Sequence, residues 1–121
     1  MMIANILVAL VAALHVYFLV LEMFFWTKPL GLKVFAQSLD KAEASKVLAS
    51  NQGLYNGFLS AGLIWGLLVS SPETALQFKA FFLACVVIAG IYGAYSVNKK
   101  IFFVQALPAL LALLLVLSSS L

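Results

Sequence analysis

Glu22 and His15 are the residues best suited to moving a proton, and both lie inside an apolar run from Ile3 to Trp26. They are seven residues apart, which puts them on nearly the same face of a helix, about 10 Å apart along its axis. A carboxylate and an imidazole can serve as general acid and base, provided that a substrate or waters bridge such a gap. Gln52, Asn56 and Gln105 add carboxamides, and Tyr92 and Tyr95 add hydroxyls, all able to donate to a carboxylate. At about 1.5 Å of rise per residue, Glu22, Gln52, Asn56, Tyr92, Tyr95 and Gln105 each fall within roughly two turns of where their helices' apolar runs meet the same side of the membrane. The expected site is a polar pocket centred on Glu22, with His15 at its floor and Gln52, Asn56 and Gln105 around it.

The energetic argument rests on Glu22. Facing lipid at the bilayer centre, an acidic side chain costs at least about 2.5 kcal/mol, less near an interface, so an inward orientation is favoured. A plainer reading stands beside it. Intramembrane Asn, Gln and Tyr commonly tie neighbouring helices together through hydrogen bonds worth about 0.6 kcal/mol on average, and tyrosines also sit at membrane interfaces.

Other chemistries lack their residues. Cys85 is the single cysteine, so neither an internal disulfide nor a thiol relay can form. One histidine, one glutamate and one cysteine at unmatched depths do not make a zinc site. No metal or cofactor is expected. There is no Walker-type loop and no serine paired with a histidine, and arginine is absent, which disfavours bidentate recognition of phosphate or carboxylate. The seven lysines are spread between apolar runs, so nucleic acid is not an expected partner.

The elements that must position these groups are helices in a membrane. Of the 121 residues, 65% are hydrophobic and 9% charged, with a mean hydropathy of +1.15, whereas soluble domains carry roughly 25% charged residues. The fold class expected is an all-α integral membrane protein, a single domain over residues 1–121 forming a bundle of four transmembrane helices at about 3–26, 41–69, 78–97 and 101–117. The chain opens MMIANILVAL and stays apolar beyond the length of a signal core, so the first helix should persist in the mature protein. Residues 27–46 form the one long polar connection, where Leu32, Phe35 and Leu39 suggest a short helix on the membrane surface. Asp40 and Glu43 have capping-box spacing before the second helix. Ser70, Ser71 and Pro72 are expected to stop that helix, and Pro108 to bend the last one unless a neighbour or water replaces the lost bond.

Gly53, Gly57 and Ala61 recur at intervals of four, with a second row at Gly62 and Gly66, so the second helix should approach two neighbours closely. Lysines set the orientation. Six of them, Lys28, Lys33, Lys41, Lys46, Lys99 and Lys100, follow the first, third or enter the second helix, against Lys79 alone on the other side. Positive-inside bias then places connections 27–46 and 98–100 in the cytoplasm and both termini outside.

The segments LEMFFWTKPLGLKVF, KVLASNQGLYNGFLSAGLIWGL and AGIYGAYSVNKKIFFVQALPALLALLL resemble a family of small bacterial membrane proteins, the domain of unknown function 1304. The resemblance covers nearly the whole chain. It implies four membrane helices in a bacterial plasma membrane and brings no activity. His15, Glu22, Asn51, Gln52, Tyr55, Asn56, Tyr92 and Gln105 are the positions that look like the family's polar pattern.

Three functions fit these residues: binding, with or without transport, of a small lipophilic or amphipathic molecule; an enzyme embedded in the membrane and acting on a lipid-like substrate through His15 and Glu22; and an assembly partner without a ligand. The expected partners are the lipid bilayer and such a small molecule, and a homo-oligomer is left open.

Overall fold

In a computed structural model described over residues 1–119, the chain is all helical, with no strand among the described residues. The order is α1 (Met2–Phe24), α2 (Pro29–Val34), α3 (Leu39–Leu68), α4 (Pro72–Ser96), a π-helical turn (Phe102–Ala106) and α5 (Leu107–Ser119). Among the described residues three stretches are long and apolar enough to cross a membrane: α1, α4, and Phe102–Ser119 as one run. The fourth span expected from the sequence, α3, falls short of that apolarity. At 30 residues α3 has the length, but Asp40, Lys41, Glu43 and Lys46 crowd its first turns and Asn51, Gln52 and Asn56 follow in its middle.

The helix ends also differ from expectation, for local reasons. Ser38, rather than Asp40, caps α3, its hydroxyl accepting from the Lys41 amide at 3.3 Å. Asp40 lies inside the first turn, where its charge still complements the helix dipole. Helix α4 begins six residues before the expected start at residue 78 because Pro72 opens it. A proline at the first helical position loses no bond that the helix would have made, and Ser71 caps the turn by accepting from the Thr74 amide at 3.3 Å. Just before Pro108 the helix widens into the π turn, and the Leu107 amide reaches back five residues to the Phe102 carbonyl. The wider turn falls where the missing amide and bulky ring of the proline disturb the regular ladder.

Helix α2 closes with Ala36 in the left-handed region (φ 51°). The Ala36 amide donates to the Lys33 carbonyl at 3.3 Å and the Gln37 amide to the Leu32 carbonyl at 3.1 Å, the paired bonds of a Schellman ending. An alanine there is strained, by about 1–2 kcal/mol relative to glycine. Ala36→Gly is therefore expected to raise stability by about 1 kcal/mol, read as a higher unfolding midpoint in detergent; an unchanged or lower midpoint would count against this geometry.

The chain divides into two compact units, Met1–Ala13 with Leu59–Leu121, and Leu14–Phe58. In the first, Ala4, Val8, Val11 and Ala12 of α1 share a core with Leu63 of α3, Leu83 and Val86 of α4, and Ala109, Ala112 and Val116 of α5. The residues of α1, α4 and α5 recur at spacings of three and four, the signature of one buried helix face. The alanines let backbones approach closely. Backbone meets backbone at Gly90, where an added Cβ would lie 2.6 Å from the Ala106 amide nitrogen.

Two polar ties cross this core. The Ser60 hydroxyl donates to the Ala12 carbonyl at 2.8 Å, and the Lys79 ammonium, 4% exposed, donates to Asn5 Oδ1 at 3.0 Å. Gly66 accommodates the lysine stem, since a Cβ at residue 66 would come within 2.8 Å of Lys79 Cγ. The second unit holds the C-terminal part of α1, all of α2 and the N-terminal part of α3.

Candidate functional site

Within the second unit the C-terminal half of α1 meets α3 through glycine. A Cβ at Gly53 would lie 3.0 Å from Glu22 Cβ and 2.8 Å from Met23 Cγ, and one at Gly57 would lie 2.6 Å from Leu19 Cδ1. Having no side chain at those two positions brings the carboxamides of α3 within reach of Glu22. Gln52 Nε2 donates to Glu22 Oε2 at 2.6 Å, and Asn56 Nδ2 donates to Glu22 Oε1 at 2.5 Å. Each carboxylate oxygen thus holds one carboxamide and keeps further acceptor capacity. The carboxylate is 2% exposed and Asn56 9%, whereas Gln52 stands at the exposed edge. Short contacts to a carboxylate from two N–H donors are roughly twice as strong as neutral hydrogen bonds.

Beside Glu22 an open pocket of about 370 Å³ is lined by Met23, Trp26, Thr27, Lys46, Ser50 and Asn51 among others. Its aromatic wall is held in place: Trp26 Nε1 donates to Ser45 Oγ at 3.2 Å, and the indole packs on Phe35 with ring centroids 4.8 Å apart. That contact ties α2 to the site.

The residues singled out by the sequence are distributed as follows. Glu22, Gln52 and Asn56 come together, and Asn51 lines the same pocket. His15 is fully buried on α1, edge-on to Phe18 at 5.4 Å, and does not line this pocket. Tyr55 is exposed beside Phe58. Tyr92, 68% exposed, and Gln105, half-buried in the π turn, belong to the other unit. No group of three or more His, Cys, Asp or Glu side chains able to hold a metal occurs among the described residues.

A family described as protein of unknown function DUF1304 matches residues 9–117. The chain belongs to this family. A similar protein, described as uncharacterized protein YpaA of Lactococcus lactis subsp. lactis (strain IL1403), is 33% identical over 117 residues, covering 94% of this chain and 97% of that protein. No solved structure matches.

In this DUF1304 chain the pocket also draws on residues that the sequence did not mark out: Met23, Trp26, Thr27, Lys46 and Ser50. A signal for the two on α3 exists. Lys46, Ser50, Gly53 and Gly57 follow at intervals of four, three and four, one helical face, and the glycines on it mark where α1 approaches.

Proposed function

We propose that this protein binds a small lipophilic or amphipathic molecule in the pocket beside Glu22. The observation that carries this reading is a buried carboxylate, seated by two carboxamides, at the wall of an open polar cavity of about 370 Å³. That volume lies in the range of small-molecule sites, and an ionisable group inside an apolar helix is a functional candidate by default.

In this proposal α3 is a fourth membrane helix. Its polar side chains Gln52 and Asn56 turn to Glu22, which removes the main penalty for placing them in lipid. The four helices then cross a bacterial plasma membrane, with residues 27–46 and 98–100 cytoplasmic and both termini outside. The lysine bias supports that orientation, and α2 then lies at the cytoplasmic surface, where the pocket opens.

The experiment is ligand retention by the purified chain. Wild type is expected to keep an endogenous small molecule through gentle detergent extraction, detected by native mass spectrometry, and Glu22→Gln is expected to lose it. Equal retention by both would end the proposal.

A second reading has a specific observation in its favour: both carboxylate oxygens already have a donor, so the cluster can serve purely as a polar clamp between α1 and α3. Under that reading Glu22→Gln changes stability in detergent and no small molecule is ever retained. The acid/base enzyme has less support, because fully buried His15 lies outside the pocket lining.

A further inference from the structure

The pocket beside Glu22 has an acidic end and a basic end. Lys46 and Ser50 lie on the α3 face that runs to Gly53, and at Gly53 that face meets Glu22, 3.0 Å from Glu22 Cβ to the place a Cβ would take. Lys46 is therefore about 10 Å along the α3 axis from the level of the carboxylate, a gap that its own long side chain and a short ligand fill together. Its ammonium pairs with Glu43 at 3.3 Å, both side chains being exposed. Such exposed pairs contribute about 0–1 kcal/mol, so the lysine is free to exchange Glu43 for a ligand anion.

The acidic end favours a particular cation. The Glu22 oxygens keep acceptor capacity after the two carboxamides, and the hydroxyls of Thr27 and Ser50 lie in the same lining. A primary ammonium, with three N–H donors, can use these acceptors, whereas a quaternary ammonium has none to offer. The indole of Trp26, fixed by Ser45, adds an aromatic surface to the same lining, where a cation is attracted. Phe24 and Val47, at the rim, are apolar and exposed, the surroundings that an acyl chain would take.

We propose that the pocket takes the headgroup of a zwitterionic amphiphile in which a primary ammonium, bound at Glu22, is joined by a short linker to a phosphate bound at Lys46. This names the ligand class for the site proposed above and rests on that proposal.

The test is a competition on the purified full-length chain in detergent, read by native mass spectrometry. Phosphatidylethanolamine, phosphatidylcholine and phosphatidylglycerol with identical acyl chains are supplied in equal amounts, and dodecylammonium and free phosphoethanolamine are tested separately. Wild type is expected to retain phosphatidylethanolamine roughly tenfold over the other two lipids, about the effect of one charge-assisted contact, and to retain free phosphoethanolamine far less. Lys46→Gln, a change at an exposed position, is expected to abolish that preference and leave dodecylammonium binding intact; Glu22→Gln is expected to lose both. Phosphatidylcholine bound as well as phosphatidylethanolamine, a preference that survives Lys46→Gln, or free phosphoethanolamine bound as tightly as the lipid would overturn this assignment. If dodecylammonium retention still depends on Glu22 in those cases, the broader binding proposal stands; if no probe depends on Glu22, both fall.

Discussion

Glu22→Ala is expected to lower the stability of the chain in detergent by about 2–3 kcal/mol, because it strips two carboxamides of their acceptor and a buried donor left without one costs about 1–3 kcal/mol. Most of the loss should come through Asn56, which is 9% exposed, since Gln52 stands at the exposed edge and can turn to water. The measurement is reversible unfolding in mixed micelles, comparing wild type with the variant. Glu22→Gln, which keeps one acceptor oxygen, should fall in between. A Glu22→Ala variant as stable as wild type would mean that the carboxylate is not seated between the two amides.

The second large effect concerns two close helix approaches, at Gly90 and Gly57, and it differs between them. Gly90→Ala puts a methyl group 2.6 Å from the Ala106 nitrogen and 2.8 Å from its Cα. These are backbone atoms of the π turn and cannot swing aside, so overpacking of about 1–3 kcal/mol is expected. At Gly57 the close atom among the described residues is Leu19 Cδ1, 2.6 Å away, at the tip of a side chain that can change rotamer. Alanine gains about 1 kcal/mol over glycine within a helix, so Gly57→Ala should be neutral or stabilising. Thermal unfolding of the two variants side by side checks the contrast, and equal effects would contradict the distinction between backbone and side-chain neighbours.

The centre of the site was legible because depth and cost act together. Glu22 has to be sheltered, and only groups at its own level can shelter it; Gln52 and Asn56, at that level, are the carboxamides bonded to it. The same depth argument also admitted Tyr92, which is exposed, because position along a helix axis leaves the direction of the side chain undetermined. The glycine rows carried that directional information. Gly53 and Gly57 face α1, while Gly62 and Gly66 face Phe82 and Lys79 of α4, as two small-residue rows on one helix imply. Ala61, in step with the first row, is exposed instead, since an alanine need not sit at a close contact.

Helix boundaries were less legible where one residue type can play two parts. Pro72 was expected only to stop a helix, but it also starts one. Asp40 has the spacing of a cap, yet Ser38, two residues earlier, takes that place. The polar groups of α3 that face Glu22 lower its apolarity below that of α1, α4 and the last helical run. The burial of Lys79 against Asn5 had no counterpart in the lysine count, which treats every lysine as a marker of the surface.

The most direct measurement is a double-mutant cycle on Glu22→Ala and Asn56→Ala, read as unfolding free energy in detergent. If the carboxylate and carboxamide are bonded as the 2.5 Å contact indicates, the two changes should couple by about 1–3 kcal/mol, the double variant losing less than the sum of the singles. Simple additivity, with a coupling near zero, would mean that the acid of α1 does not meet the polar face of α3, and the binding site proposed here would lose its foundation.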